Sequence, residues 1–146
     1  MINEKINATG ELKIVLRDKD GNVKMEKTEK NLVVTSGKTF IASRMVGTGS
    51  AVMSHMAVGT STTAPVAGQT ALVSEIARAA IVSGTSATNV VTYSAVFAAG
   101  VGTGAITEAG ILNAGTAGTM LSRTVFSVVN KESDDSLTIN WQITIN

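Results

Sequence analysis

Cysteine is absent from the 146-residue sequence, and histidine and proline each occur only once. Without cysteine the chain has no disulfide, no thiolate nucleophile and no zinc–thiolate centre. The single histidine, His55, excludes any metal site that needs two imidazole ligands. Aromatic residues make up 3% of the chain and charged residues 16%, against about 25% charged residues in an average globular protein. The sequence therefore predicts a protein without a cofactor or a resident metal.

Long apolar runs and a strong net charge are missing as well. No segment approaches the run of about 18 apolar residues that a membrane-spanning helix needs. The first residues lack the apolar core of a secretory signal. The formal net charge of +1 is too balanced to attract nucleic acid through the overall field of the protein. We therefore expect neither a membrane nor a nucleic acid as a partner.

The charges that are present are distributed unevenly. Residues 1–44 hold 15 of the 23 charged residues, whereas residues 45–130 hold only four. A surface so poor in charge is unusual for a soluble monomer, which normally mixes both signs over its surface. Either other chains cover this stretch, or its surface consists of Thr, Ser, Ala and Gly.

The four isolated charged residues are Glu75, Arg78, Glu108 and Arg123. They stand among apolar and uncharged neighbours, where a buried charge needs a partner. We therefore expect a structural pairing of one of the glutamates with one of the arginines, within the chain or across an interface.

Alternation of apolar and polar residues is the main structural signal in the sequence. It predicts a hairpin of two strands, Glu11–Arg17 and Val23–Lys27, joined by the turn Asp18–Asn22. The clearest strand covers residues 136–146, where a fully apolar face alternates with a neutral polar face. Further strands are predicted over residues 30–35, 52–59, 77–83, 89–99, 106–113 and 119–130.

One short helix is predicted near residues 37–46, with Ser36 as its N-cap. Short strands separated by Gly, Ser and Thr turns are typical of an all-β protein, and we predict an antiparallel β-sandwich or jelly roll with an N-terminal hairpin. No linker marks a second domain, so residues 1–146 are predicted to form a single β domain. Within it, residues 1–30 are a possible hairpin arm that contacts a partner.

Three motifs fall short of the chemistry that they suggest. Ser36–Thr39 ends like a phosphate-binding loop, but Leu32 stands where the first glycine of that loop is required. Asp18–Asn22 matches the start of a calcium loop, but Val23 replaces its obligatory glycine. No Gly-x-Ser-x-Gly element accompanies His55. We therefore predict that the protein is not an enzyme, with a small hydrolase using His55 as the catalytic alternative.

Four segments and a closing strand that contains Trp141 stand out together: Asn31–Met45, Met56–Pro65, Gly104–Asn113 and Met120–Phe126. Their order resembles that of small virion structural proteins of tailed bacteriophages, which are head decoration (cement) proteins or tail-fibre-like proteins. The resemblance covers roughly residues 30–146. It implies a structural, non-enzymatic protein, and no catalytic residues carry over from it.

The resemblance implies a component of the virion that is synthesised in the host cytoplasm. Our first interpretation is a capsid cement protein on the outside of the phage head, which stabilises contacts between major capsid subunits by binding only the assembled shell. The alternative is a phage tail or fibre component that contacts the host surface. The expected partners are the major capsid protein and further copies of the chain, as a dimer or trimer.

The charged residues 1–30 are predicted to be the capsid-facing arm. Its partner interface is predicted to comprise Leu12, Ile14, Leu16 and Arg17, as a strand added to the edge of a capsid sheet. A sugar-binding sandwich is a further alternative. It is disfavoured because Trp141 lies on the apolar face of its strand, away from any sugar ring.

Overall fold

The computed structural model describes residues 4–49 and 51–146. Within these ranges eight strands and one helix follow one another along the chain: β1 (Ala8–Arg17), β2 (Val23–Val33), α1 (Thr35–Met45), β3 (His55–Gly59), β4 (Glu75–Ala87), β5 (Val90–Phe97), β6 (Gly104–Leu112), β7 (Met120–Lys131) and β8 (Ser136–Ile145). The predicted hairpin is β1–β2. The strand predicted over residues 30–35 is the end of β2, and the one predicted over residues 52–59 begins only at His55.

The eight strands form a closed barrel in the order β1-β2-β7-β6-β3-β4-β5-β8, and all neighbours are antiparallel. The predicted all-β antiparallel class with one short helix is confirmed, but the predicted sandwich or jelly roll is wrong. Alternation reveals that each strand has one buried face. That signal is the same for two facing sheets and for one sheet closed on itself.

The barrel is closed least firmly between β2 and β7. Ladder pairing joins these strands only at Leu32 and Val33. Further along, a side chain bridges the two strands, since Nζ of Lys27 donates to the main-chain oxygen of Ser127 at 2.7 Å. Most of β2 is therefore a near-edge strand, and it carries five charged residues: Lys24, Glu26, Lys27, Glu29 and Lys30. Charged side chains protect exposed edges from pairing with other chains, which accounts for part of the charge excess near the N-terminus.

Apolar side chains fill the barrel, with Trp141 and Phe97 fully buried among residues from each strand. Helix α1 packs against β7 beside one end of the barrel. Ser36 does not cap this helix, because α1 begins at Thr35 and Val34 occupies the N-cap position. The Oγ of Ser36 donates instead to the main-chain oxygen of Met120 at 2.8 Å. The helix approaches β7 so closely that a Cβ on Gly37 would overlap the main-chain oxygen of Leu121.

The start of β1 lies beside the end of β8. The amide of Asn7 donates to the carbonyl of Asn146 at 3.0 Å, and the amide of Asn146 donates back at 2.7 Å. In the described parts of the chain, no helix combines the length and apolar character needed to span a membrane.

Candidate functional site

Three side chains of the predicted partner interface lie inside the barrel. Leu12, Ile14 and Leu16 are at most 3% exposed and belong to the main core cluster, whereas Arg17 is half-buried at the end of β1. Both edges of β1 are paired, one with β2 and the other with β8. This corrects the expectation that β1 offers an apolar face and a free edge to a partner, since alternation alone does not tell a core face from an interface.

The structure pairs Glu108 with Arg123 on the outer side of the barrel wall. Nε and Nη2 of Arg123 both donate to Oε2 of Glu108, at 3.0 and 2.8 Å. Both side chains are completely buried, although they stand on the solvent side of β6 and β7. They are buried because residues 60–74, the connection between β3 and β4, lie across them; we call these residues the wall segment.

Glu108 holds the wall segment through main-chain amides. Its carboxylate accepts the amide hydrogens of Ser61 at 3.3 Å, Val73 at 3.1 Å and Ser74 at 2.6 Å. Charge-assisted hydrogen bonds of this kind are roughly twice as strong as neutral ones. The carboxylate therefore fixes both ends of the wall segment at once.

Arg123 holds the middle of the same segment. Its Nη1 donates to the main-chain oxygen of Thr63 at 2.9 Å and to Oε1 of Gln69 at 3.1 Å. The hydroxyl of Thr107 adds a bond to the main-chain oxygen of Ser61 at 2.8 Å. The buried pair therefore acts as an internal clamp whose hydrogen-bonding groups are occupied by the chain itself.

The second pair joins Glu75 to Arg78 at the start of β4. Nε of Arg78 donates to Oε2 of Glu75 at 2.6 Å, and Nη2 donates to Oε1 at 3.0 Å. Nη1 of Arg78 also donates to the main-chain oxygens of Ala114 and Ala117, at 2.7 and 2.9 Å. This pair ties the connection between β6 and β7 to β4, and its side chains are 30% and 10% exposed.

These two pairs account for every charged residue between positions 45 and 130. One pair is completely buried, and the other satisfies its charge locally. The surface that this stretch presents is consequently neutral, and it includes the exposed second half of β4. Exposed apolar side chains accompany it, namely Val52, Ile76, Val82 and Val96.

Two cavities flank this neutral region. A cavity of about 310 Å³ is lined by Val52, Met53, Gly84, Thr85, Ser86, Val91 and Tyr93. A second, apolar cavity of about 180 Å³ lies between α1 and the barrel end; it is lined by Phe40, Ile41, Arg44, Val91, Tyr93, Leu121, Ile143 and Ile145. Burial raises the pKa of the Tyr93 hydroxyl. The second cavity is lined by apolar side chains except for Arg44, whereas Thr85 and Ser86 make the first more polar.

A charged cluster that the sequence did not reveal lies at the opposite end of the barrel. Nζ of Lys24 donates to Oδ2 of Asp135 at 2.8 Å, and that oxygen also accepts the amide of Glu132 at 2.9 Å. These hydrogen bonds lower the pKa of Asp135, and the bond that Lys24 donates to Asp135 raises the pKa of Lys24. Burial lowers the pKa of Lys131, whose Nζ donates to the main-chain oxygen of Ala98 at 3.0 Å.

Asp135 lies in the acidic turn before β8, and it is only 3% exposed. The partner of Asp135 is 111 residues away in sequence, so no local pattern could have identified it. No sequence pattern identifies the main-chain amides that bind Glu108 either. What could be found was the isolation of Glu108 and Arg123 among uncharged neighbours.

The remaining motifs take part in local structure. Oδ1 of Asp18 accepts the amides of Asp20 and Asn22, each at 2.9 Å, which closes the β1–β2 turn. Nδ1 of His55 lies 2.8 Å from Oγ of the adjacent Ser54. Among the residues that the structure describes, no group of three His, Asp or Glu side chains is placed to hold a metal ion.

Comparison with known proteins gives one match. The family described as phage tail-collar fibre protein, N-terminal, matches residues 25–145. The match covers α1 and the strands from most of β2 to β8, and β1 lies outside it. Searches of curated proteins and of solved structures gave no significant match.

Proposed function

Because the chain belongs to the phage tail-collar fibre family and is thus a virion structural protein, we propose that it is a component of the phage tail. The observation that carries this proposal is the family match over residues 25–145. The description of the family names the tail, so it favours the tail or fibre interpretation over the capsid-cement interpretation that ranked first on sequence.

The construction of the barrel wall supports a structural role. The clamp of Glu108 and Arg123 is shielded from solvent, and its acceptors and donors are occupied by the wall segment. An ion pair arranged in this way holds a surface in one shape and offers no group to a substrate. The other ion pair, Glu75 with Arg78, fixes a second surface connection in the same manner.

The neutral outer surface supports contact with other proteins. Interfaces between proteins are depleted of charged residues at their centres, and the surface between positions 45 and 130 has its charges satisfied internally. Contacts made there bury little unpaired charge. We therefore infer that the chain works by binding neighbouring tail subunits, and contact with the host surface is the further role that its position in a fibre would allow.

The head-decoration interpretation differs from the tail proposal in what it requires of β1 and in the expected copy number. Binding to the major capsid protein through a donated β1 strand would require the barrel to open, because β1 is paired along both edges. A cement protein is also present in hundreds of copies, near a simple ratio with the shell subunit, whereas a tail component is present in far fewer.

Copy number and location in purified virions test the proposal. Heads and tails are separated after disruption of the particles, and the chain is quantified in each fraction by mass spectrometry against the major capsid protein. We expect a few to a few dozen copies per particle, recovered with the tails. Hundreds of copies recovered with the heads would overturn the tail proposal in favour of capsid cement, and absence from the particles would contradict both.

A further inference from the structure

Strand β4 pairs with two different neighbours along its length. Its first part, from Glu75 to Ala80, pairs with β3, and its second part, from Ile81 to Ala87, pairs with β5. On the β3 side, the amide of Ile81 donates to the carbonyl of Ser54 at 2.8 Å. Past that bond, no strand in the described ranges pairs with this side of residues 82–87. We call these six residues the β4 edge.

The β4 edge lacks the charged side chains and the proline that protect many open sheet edges, and a β-bulge marks only its first residue, Val82. Its sequence, Val-Ser-Gly-Thr-Ser-Ala, contains neither a charge nor a proline, and all six residues are exposed. Val82 alone is 68% exposed. Natural proteins protect such edges with charged side chains or proline, as this chain does along β2 with five charged residues. The contrast between two strands of one barrel indicates that the β4 edge serves for pairing.

We propose that the β4 edge pairs with the β4 edge of a second copy of the chain, antiparallel and about a two-fold axis, so that the two barrels share a continuous sheet. An edge that meets its own copy in this way forms a closed, isologous contact. The main-chain donors and acceptors of one copy then face those of the other. Because the β4 edge and the adjoining strand β5 are uncharged, two copies meet without repulsion between like charges.

The size of the edge determines how strong this contact is. Six residues extend over about 20 Å, and a hairpin of two strands adds about 10 Å in width before its side chains are counted. We therefore expect roughly 400 Å² to be buried per copy, about half of the ~800 Å² per partner in a standard interface. The apolar neighbours Val52 and Val82 add to the contact. The dimer is thus expected to be weak and to dissociate on dilution, and crowding on the virion raises its occupancy by effective concentration.

Analytical ultracentrifugation of the full chain from roughly 10 µM to 1 mM, a span of weak affinities, tests the pairing. The weight-average mass of the wild type is expected to rise toward that of two copies. The double variant Val82→Lys/Thr85→Lys and the double variant Val82→Glu/Thr85→Glu are each expected to stay monomeric. An equimolar mixture of the two is expected to associate again, because opposite charges then lie on adjacent strands of the shared sheet.

Thr28→Lys is the matched control, since Thr28 is an exposed strand residue on β2. It is expected to leave association unchanged, and circular dichroism establishes that each variant is folded. A wild type that stays monomeric, or association that persists in the lysine double variant, would overturn the pairing. So would a monomer whose β4 amides become protected from hydrogen exchange only in the virion, since another virion protein would then occupy the edge. None of these results bears on the proposed location in the tail, which is measured on particles.

Discussion

At the scale of single residues, burial decides what the few charges of this chain contribute. Glu108 and Arg123 are both completely buried, whereas the pair of Glu75 and Arg78 is in partial contact with water. Removing one member of a buried pair leaves the other charged and without compensation. Loss of one partner is therefore expected to destabilise the protein more at the buried pair than at the partly exposed pair, although each pair joins a glutamate to an arginine.

Arg123→Met tests that difference. The variant keeps a shorter, unbranched apolar side chain but leaves the Glu108 carboxylate without its guanidinium, and breaking a buried pair in this way costs about 3–5 kcal/mol. The matched variant Arg78→Met is expected to cost less, because Glu75 is 30% exposed and water can solvate the carboxylate that loses its partner. Urea unfolding followed by circular dichroism gives both values. Equal losses in the two variants would contradict the assignment of the buried pair as the main clamp.

The pair of Lys24 and Asp135 predicts a dependence of stability on pH. The pKa of Asp135 is lowered from its usual value of 3.8 by the hydrogen bond from Lys24, so its contribution is fully present above pH 3.8 and is lost as the pH falls through the lower, folded value. The pKa of Lys24 is raised from 10.5, so its contribution is lost only above that pH.

Lys24→Met therefore destabilises the chain at neutral pH, and its difference from the wild type is expected to shrink as the pH drops below about 4. Unfolding midpoints measured from neutral to acid pH provide the comparison. Lys13→Met serves as the control, because Lys13 lies 3.8 Å from Glu26 and both side chains are about half exposed. A difference for Lys24→Met that stays constant down to the lowest pH would argue against the assigned role of Asp135.

At the scale of elements, the wall segment depends on two glycines that let it lie close to the barrel. A Cβ on Gly59 would overlap the main-chain oxygen of Ser74 and lie 2.5 Å from Oε1 of Glu108. A Cβ on Gly110 would lie 2.5 Å from the end of the Leu72 side chain. Main-chain atoms do not yield as a flexible side chain does, so Gly59 is the stricter requirement.

Gly59→Ala is accordingly expected to destabilise the chain by about 1–3 kcal/mol, the usual cost of forcing extra volume into a packed site. It should also speed proteolytic cleavage within residues 60–74. Gly68→Ala is the control within the same segment, since a Cβ there meets nothing within 4 Å. Chemical unfolding and limited proteolysis report the two effects. If Gly59→Ala and Gly68→Ala behave alike, the close approach at Gly59 is unimportant to the fold.

Local sequence patterns predicted the elements much better than their arrangement. Alternation located β8 to within a residue, because the apolar face of Leu137, Ile139, Trp141 and Ile143 is buried in a single core. Closure of the barrel depends instead on pairs such as Ala8 with Ile145, which are distant in sequence. The predicted Ser36 N-cap is wrong, because α1 begins at Thr35 and the Ser36 hydroxyl binds the main-chain oxygen of Met120 on β7.

At the scale of the whole molecule, the N-terminal hairpin is part of the barrel. The pairing of β1 with β8 extends from Ala8 to Arg17, so a truncation of residues 1–30 would remove β1 and most of β2. The loss of binding in such a truncation would therefore not distinguish an interface from a broken fold. Single substitutions on the surface, as at the β4 edge, keep the barrel intact and separate the two.

The meeting of Asn7 and Asn146 also determines how the barrel responds to force. Because β1 and β8 run antiparallel from that point, tension applied across the two residues would peel the strands apart one ladder bond at a time. Tension applied between Asn146 and the far turn at Asp20 would instead load the bonds between β1 and β8 together, in shear. The same barrel is thus mechanically weak in one direction and strong in the other, so the attachment points of its neighbours decide the load that it survives.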